Sequence, residues 1–259
     1  MNSNRQTSKN LLEKVWQSLQ QKNIRQAITY SNQLCREAPD FAQGWHAASH
    51  VAQLIKQPQQ ALVAIERALN LKPGNTDWLL HRAGCLLMCG DNEAGREFLL
   101  ELLGDSDGYS PSQLSNLAFL CNRLELHSEA VRLYRKLIDL EPGNGGHWYN
   151  LASVQRFRGE IEQAETSLDK AIKLNPLDYE AIELRSDLRK QTRSENHVAQ
   201  LQELLNNGIK QPAGEVRVCY ALAKELEDIG DPENSFAALS RGASLRRKHI
   251  NYSIESDLE

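Results

Sequence analysis

The sequence predicts an all-α protein, built as a right-handed α-solenoid of about six helical hairpins. Three observations lead to this prediction. Residues of similar size and polarity recur every 34 positions, a period typical of stacked helical hairpins. Alanine or glycine recurs at two fixed places in the repeat, and proline recurs close to the end of most repeats. Because one hairpin cannot bury its apolar stripe alone, neighbouring hairpins are expected to stack.

Residues 145–178 show the repeat most clearly. Counted from Gly145, apolar or small residues fall at offsets 4, 7, 8, 20, 24 and 27, with proline at offset 32: Trp148, Leu151, Ala152, Ala164, Leu168, Ala171 and Pro176. The units 8–41, 42–75 and 111–144 share this frame. In the unit 77–110, Ala94 and Phe98 come two residues early, which predicts a shorter turn between its helices and a longer exit loop.

Each recurring position has a physical role in a helical hairpin. Alanine or glycine at offsets 8 and 20 lets two helix backbones approach closely. Apolar residues spaced three and four apart form one stripe along each helix. Proline at offset 32 ends the second helix, because proline lacks an amide proton and restricts the residue before it.

The repeat frame weakens after Asp178. The pattern there predicts one amphipathic helix over 179–193 and another over 196–207, which together would form a degenerate hairpin. A final unit recovers the frame at 216–249, and the glycines and proline of 205–214 predict a hinge before it. We therefore expect an N-terminal array over 1–194 and a C-terminal part over 195–259.

Composition argues against several classes of protein. Hydrophobic residues make up 41% of the chain, which is enough for a core and argues against disorder. The mean hydropathy is −0.54, and no apolar run approaches the roughly 20 residues of a membrane-spanning helix. A net charge of −4 gives no general attraction to nucleic acid or anionic membranes. The polar start of the chain and an odd number of cysteines, five, favour a reducing, cytoplasmic location.

The 34-residue unit and its offsets resemble the tetratricopeptide repeat. The passage 221–231, with 235–237 and 242–247 after it, also resembles the end of the N-terminal repeat region in bacterial tetratricopeptide-repeat sulfotransferases. This similarity runs to Tyr252 and Ile254. It implies a module that recruits substrate for sulfate transfer from PAPS by a following catalytic domain. The Pro-x-x-Gly-Thr-Thr-like phosphate loop of such a domain is not found in this sequence.

The sequence predicts no catalytic site, cofactor or metal, and hence a protein that is not an enzyme. It contains no Gly-rich phosphate loop, no His-Glu-x-x-His and no Gly-x-Ser-x-Gly motif. His81, Cys85 and Cys89 share one helix face, and both residue types bind zinc. Structural zinc sites usually take ligands from two separated segments, so these cysteines are interpreted as small buried hydrophobic residues.

The resemblance to tetratricopeptide repeats places function on the concave groove, which first-helix offsets 2, 5, 6, 9 and 12 face in that family. The candidate ligand-binding residues are His46, His50, His81, Asn116, Phe119, Tyr149, Asn150 and Arg156. Asparagine amides can bond a peptide backbone, aromatic rings supply flat apolar contact, and arginine binds carboxylates. The alternative, that these residues only keep the surface hydrated, stays open.

We therefore expect a scaffold that binds a protein or peptide segment in this groove, with no nucleic-acid or membrane partner. Two alternatives stay open. In one, the chain is the substrate-recruiting part of a PAPS-dependent sulfotransferase whose catalytic domain is not in this sequence. In the other, it is a structural module that self-assembles as a homo-oligomer through the ends of the solenoid.

Overall fold

The computed structural model describes residues 2–249, and this part of the chain is helical with no β-strand. Its α-helices are, in chain order, α1 (Asn2–Gln20), α2 (Ile24–Glu37), α3 (Ala42–Leu54), α4 (Pro58–Leu71), α5 (Thr76–Cys89), α6 (Asn92–Gly104), α7 (Pro111–Arg123), α8 (His127–Leu140), α9 (Gly145–Phe157), α10 (Ile161–Leu174), α11 (Tyr179–Asp187), α12 (Val198–Asn206), α13 (Pro212–Asp228) and α14 (Pro232–His249). The all-α prediction is confirmed. Tyr252 and Ile254 lie outside the described residues.

Successive helices pack as pairs, as the predicted hairpins require. Helix α1 packs on α2, α3 on α4, α5 on α6, α9 on α10, and α13 on α14. The alanines predicted at the helix crossings are fully shielded from solvent: Ala61, Ala118, Ala130, Ala152 and Ala164. Their burial explains the recurrence of small residues, because a larger side chain at a crossing would push the two helices apart.

Proline sets the end of four helices that come second in their pairs. The last helical residue and the proline after it are Glu37 and Pro39, Leu71 and Pro73, Leu140 and Pro142, and Leu174 and Pro176. The proline ring pushes the residue before it out of the helical region of backbone conformation. Each helix therefore ends two residues before its proline. This predicted role of offset 32 is confirmed.

The unit 77–110 has the irregular loops that the sequence predicts. Only Gly90 and Asp91 separate α5 from α6, and Gly90 takes the left-handed conformation at φ 77°. Residues 105–110 then connect α6 to α7 and include a 3₁₀ turn, Ser106–Gly108. A left-handed glycine closes the short turn without the steric cost that a Cβ would bring.

Packing divides the chain into two compact units, Met1–Leu133 and Tyr134–Glu259, so far as they are described. In the second unit, buried side chains of α9 to α14 form one hydrophobic cluster. The boundary predicted between residues 194 and 195 falls inside that unit and stays a prediction. Within residues 2–249, no helix combines the length and the apolar character needed to cross a bilayer.

The helix predicted over 179–193 is wrong in its extent, because α11 ends at Asp187. Residues 188–197, which we call the strap, then lead to α12 at Val198, where the sequence pattern predicts a helix from residue 196. Both α11 and α12 pack against α13. Packing against α13, which is distant in sequence, therefore determines the structure of residues 179–206, and the local helical period does not.

Side chains of α13 hold the strap by bonding its backbone. The N–H of Gln191 donates to Asp228 Oδ2 at 2.8 Å, and the N–H of His197 donates to Glu225 Oε2 at 2.6 Å. These bonds satisfy strap amides that would otherwise need helical partners. The sequence pattern is silent about them because each pair is separated by more than 25 residues.

The last pair of helices begins earlier than predicted. Helix α13 starts at Pro212, not at residue 216, because proline suits the first turn of a helix, where its missing N–H has no partner to lose. The ring of Tyr179 lies directly against Gly214 in that first turn. Of the residues 205–214, in which the sequence predicts a hinge, only 207–211 are non-helical, and the hinge itself stays a prediction.

Candidate binding surface

Three of the predicted groove residues come together in the first compact unit, Met1–Leu133. His46 and His50 lie one turn apart on α3, and His81 lies on α5. The Nε2 atoms of His46 and His50 are 3.1 Å apart. The ring centroids of His50 and His81 are 4.1 Å apart, and those of His46 and His81 are 5.4 Å apart. We call these three half-buried residues the histidine cluster.

Ser49 fixes the orientation of one ring in the histidine cluster. Its hydroxyl donates to Ala61 O at 2.7 Å and lies 2.8 Å from His81 Nε2. Since the hydroxyl proton is committed to Ala61, Ser49 accepts the N–H of His81, and the lone pair of that imidazole is on Nδ1. Cys85 also contacts Ser49, with its Sγ 3.7 Å from the hydroxyl oxygen. Ser49 therefore holds the His81 ring where it faces the rings of His46 and His50.

Two tryptophans border the histidine cluster. The Trp78 ring stacks on His46 with a centroid separation of 5.1 Å, and the Trp16 ring meets His50 edge-on at 5.3 Å. Indole rings exclude water from the faces of the imidazoles. The histidine cluster thus lies in a partly dry environment.

Burial keeps the histidine cluster uncharged. It lowers the pKa of His46 to about 4, with a contribution from His50 and partial opposition from Asp77. It lowers the pKa of His81 to about 3, again with help from the neighbouring imidazoles, and it lowers the pKa of His50 as well. At neutral pH each ring consequently carries one N–H and one nitrogen lone pair.

The α7 helix presents two more of the predicted residues to solvent. Asn116 is exposed, and Phe119 is 52% exposed. Met88 on α5, a helix that packs against α7, is also exposed, at 46%. Within residues 2–249, the amide of Asn116 makes no hydrogen bond to the chain. The first unit therefore offers a polar amide and apolar side chains on adjoining helices.

The remaining predicted residues lie on α9 in the second unit. Tyr149 and Asn150 are half-buried, and Arg156 is exposed with its guanidinium 5.2 Å from the Phe157 ring. The Asn150 amide has no hydrogen-bond partner among the described residues. Burial, reinforced by Glu180, raises the pKa of Tyr149, so its hydroxyl remains a hydrogen-bond donor at neutral pH.

Sequence reasoning missed Arg217, which lies near Tyr149 and opposes the rise in the pKa of that phenol. Arg217 forms ion pairs with Glu180, at 2.7 Å, and with Glu183. In the last unit, counted from residue 216, Arg217 has offset 2, which is a groove offset. Applying the repeat frame to that unit would have found it.

The grouping of the histidine cluster was also missed, although a signal for it exists. His46 and His81 both have offset 5 in consecutive units, and His50 has offset 9 in the first of them. Equal offsets in stacked repeats lie side by side, and offsets 5 and 9 are one helical turn apart. The offsets of these three histidines thus predict that their side chains meet. The spacing of His81, Cys85 and Cys89 along α5 does not predict this contact.

Profiles of the tetratricopeptide repeat match residues 56–113 and residues 133–166. The chain contains tetratricopeptide repeats. His81 of the histidine cluster lies in the first matched segment, and helix α9 lies in the second.

Two solved tetratricopeptide-repeat structures share the fold of this chain. One is a protein from Parabacteroides merdae, with a TM-score of 0.61 and 16% identity over 97% of this chain and 96% of that one. The other is YrrB, described as having an unusual peptide-binding site, with a TM-score of 0.54 and 15% identity over 68% of this chain and 90% of that one. These likenesses establish the all-α tetratricopeptide-repeat solenoid fold.

A more similar sequence is found in Drosophila melanogaster. The BBSome complex member BBS4 homolog is 26% identical over 192 residues, which is 73% of this chain. The aligned region is 38% of the fly protein. This chain therefore corresponds to less than half the length of that relative.

Proposed function

We propose that this chain is a protein-interaction scaffold and that first helices of its repeats bind extended peptides, through α7 in the first compact unit and through α9 in the second. The observation that carries the proposal is a pair of amides with no partner in the described chain. Asn116 and Asn150 have the same offset in successive repeats. Each shares its helix with an aromatic residue, Phe119 on α7 and Tyr149 on α9. The description of YrrB as a peptide-binding protein of the same fold supports this use of the repeats.

The chemistry of these positions suits a peptide backbone. An asparagine amide donates and accepts at once, so it can bond both the N–H and the C=O of one peptide unit. The exposed ring of Phe119 supplies apolar contact for a side chain of the ligand. The exposed guanidinium of Arg156 can form a bidentate bond with a carboxylate. Acidic peptides with spaced apolar residues are therefore the expected ligands.

A peptide-display selection followed by calorimetric titration tests the proposal. Peptides selected on the wild-type chain are titrated into Asn116→Ala, Phe119→Ala, Asn150→Ala and Tyr149→Ala. We expect each change to weaken binding by about fivefold to a hundredfold, because each removes a hydrogen bond or a buried aromatic contact.

Matched controls are available on other helix faces. Asn32 is exposed on α2, and Phe236 is 71% exposed on α14. Asn32→Ala and Phe236→Ala should bind the selected peptides as the wild type does. If the controls weaken binding as much as the α7 and α9 variants, or if none of the variants has an effect, the proposed surface is wrong.

The second candidate is the N-terminal part of a sulfotransferase, and it rests on the passage 221–231. Residues of this passage also have a structural role, since Glu225 and Asp228 hold the strap. Reading the gene beyond codon 259 tests this candidate. An in-frame strand followed by a phosphate loop supports it, whereas a stop codon or an unrelated domain contradicts it.

The remaining parts of the proposal concern location and assembly. A cytoplasmic location and the lack of a catalytic role in this chain belong to the scaffold proposal. Self-assembly through the ends of the solenoid is the alternative that light scattering tests, because a homo-oligomer would show a mass that rises with protein concentration. A constant monomer mass would contradict it.

A further inference from the structure

The histidine cluster gathers three nitrogen ligands from two separate helices. One ring nitrogen from each of His46, His50 and His81 lies within 4.8 Å of those from the other two. Two ligands come from α3 at one-turn spacing, and the third comes from α5 in the next repeat. Ligands from separated segments are the usual arrangement of a protein zinc site.

We propose that the histidine cluster is a binding site for a divalent transition-metal ion, with Zn²⁺ as the best match. Zinc bonds histidine nitrogen at about 2.0–2.1 Å, so two ligands of a tetrahedral site are about 3.3 Å apart. The Nε2 atoms of His46 and His50 are 3.1 Å apart, close to that edge. A ring nitrogen of His81 lies within 4.8 Å of those of His46 and His50, so metal binding requires the His81 side chain to move closer while it keeps its hydrogen bond to Ser49.

The protonation state of the histidine cluster suits a metal. Imidazole must be neutral to bind an ion, and burial lowers the pKa of both His46 and His81 far below 7. At neutral pH the rings are therefore already uncharged, and a metal ion can bind without first removing a proton from an imidazolium. Imidazole is a ligand for zinc, copper and nickel, whereas magnesium and calcium take oxygen.

Ser49 supplies the support that a metal-binding histidine usually has. The Nε2–H of His81 is bonded to the Ser49 hydroxyl, which is itself anchored on Ala61 O. Such an outer hydrogen bond fixes the tautomer and the ring orientation of a ligand. Nδ1 of His81 is then its ligand atom, because Nε2–H is bonded to Ser49. For His46 and His50 the ligand atoms are Nε2, because these two atoms face each other at 3.1 Å. Three protein ligands leave a fourth position for water.

The histidine cluster also has a simpler explanation, in which one imidazole proton is shared between His46 and His50 and no metal binds. The two explanations predict different solution behaviour. A shared proton gives no uptake of zinc, whereas the proposed site gives one zinc per chain. The full chain, freed of any histidine tag and treated with chelator, is therefore titrated with Zn²⁺ against a chromophoric competitor.

Single substitutions assign any bound zinc to the histidine cluster. His46→Gln, His50→Gln and His81→Gln should each abolish the stoichiometric uptake. His249→Gln removes an exposed histidine on α14 and should leave it unchanged. Circular dichroism verifies that each variant is folded. No uptake by the wild type, or uptake that the three variants retain, overturns the proposal.

Two measurements keep the test decisive if a histidine variant unfolds. Nuclear magnetic resonance of histidine labelled with ¹⁵N in the wild type should show zinc shifting Nδ1 of His81 and Nε2 of His46 and His50. Cobalt bound at the site should give visible bands of a tetrahedral ion without a thiolate charge-transfer band. Unshifted histidine resonances, or a thiolate band from Cys85 or Cys89, would count against the site.

Ser49→Ala probes the outer hydrogen bond. Alanine occupies the same offset in other repeats, as Ala118 and Ala152, and is fully buried there, so the fold should accept it. Loss of an outer-shell partner typically weakens metal binding by about 10-fold to 100-fold. A zinc affinity equal to that of the wild type would remove Ser49 from the proposed site.

Discussion

The carboxylate of Glu225, fully buried on α13, accepts a hydrogen bond of 2.6 Å from the backbone N–H of His197 in the strap. The same carboxylate accepts a second bond of 2.5 Å from the hydroxyl of Ser186 on α11. We expect Glu225→Gln to lower the free energy of unfolding by about 1–3 kcal/mol, because the new NH₂ group faces donors that need an acceptor. Urea unfolding followed by circular dichroism measures the change. Glu227→Gln, at an exposed position on the same helix, should change the free energy of unfolding little, and an equal loss in both variants would contradict the assigned role.

Gly214 and Gly84 should respond to alanine in opposite directions. A Cβ on Gly214 would lie 2.5 Å from Tyr179 Cε2, whereas one on Gly84 would meet only Leu120, at 3.9 Å. We expect Gly214→Ala to destabilise the protein by about 1–3 kcal/mol through overpacking. Gly84→Ala should stabilise it by about 0.5–1 kcal/mol, because glycine inside a helix loses more backbone entropy on folding. Thermal unfolding of the two variants compares them directly, and a shift of the same sign in both would refute this reading.

Acid should destabilise the protein through the histidine cluster. The pKa of each of these imidazoles is lower in the folded chain than the ordinary 6.5. Between pH 6.5 and about pH 3 the unfolded state binds more protons, so stability is complete above pH 6.5 and falls as the pH drops through this window. The melting temperature, measured in chelator, should fall less with pH in His81→Gln than in the wild type or in His249→Gln. Equal slopes for all three proteins would contradict the buried, neutral state of His81.

Buried thiols should resist modification in the folded protein. Cys121 on α7 is fully buried, and burial together with Glu129 raises the pKa of its thiol to about 12. Burial raises the pKa of Cys35 to about 11. Because the thiolate is the reactive form, both should react slowly with a thiol reagent at pH 8 and rapidly in urea. Mass spectrometry of the labelled peptides identifies each cysteine, and fast native labelling of Cys121 would contradict its burial.

The parts of the fold that local chemistry determines could be predicted from the sequence. The proline at offset 32 ends a helix through its own ring, and the alanines at offsets 8 and 20 mark where two helices cross, so a short pattern contains the information. The end of α11 at Asp187 depends instead on Asp228 and Glu225, acidic side chains of α13 that bond the strap. A periodicity argument has no access to such distant bonds.

The candidate site was predictable residue by residue but not as a chemical group. The offsets of His46, His50 and His81 predict that each of them lines a peptide groove, because these offsets face the groove in related repeats. Their mutual contact, and the loss of charge that burial imposes on them, depend on stacking between repeats and on Trp16 and Trp78. Such effects emerge only when the helices are in place.

The strap has no helical ladder of its own, and its attachment to α13 therefore sets its exchange behaviour. The amide hydrogens of Gln191 and His197 are bonded to carboxylates of α13, so solvent deuterium should reach them only when the strap detaches from that helix. Their protection factors should consequently fall together in Glu225→Gln, while amides inside α9 keep theirs. A ten-residue stretch without regular structure would then behave as part of the cooperative unit around α13, and truncations of α13 would release it as a whole.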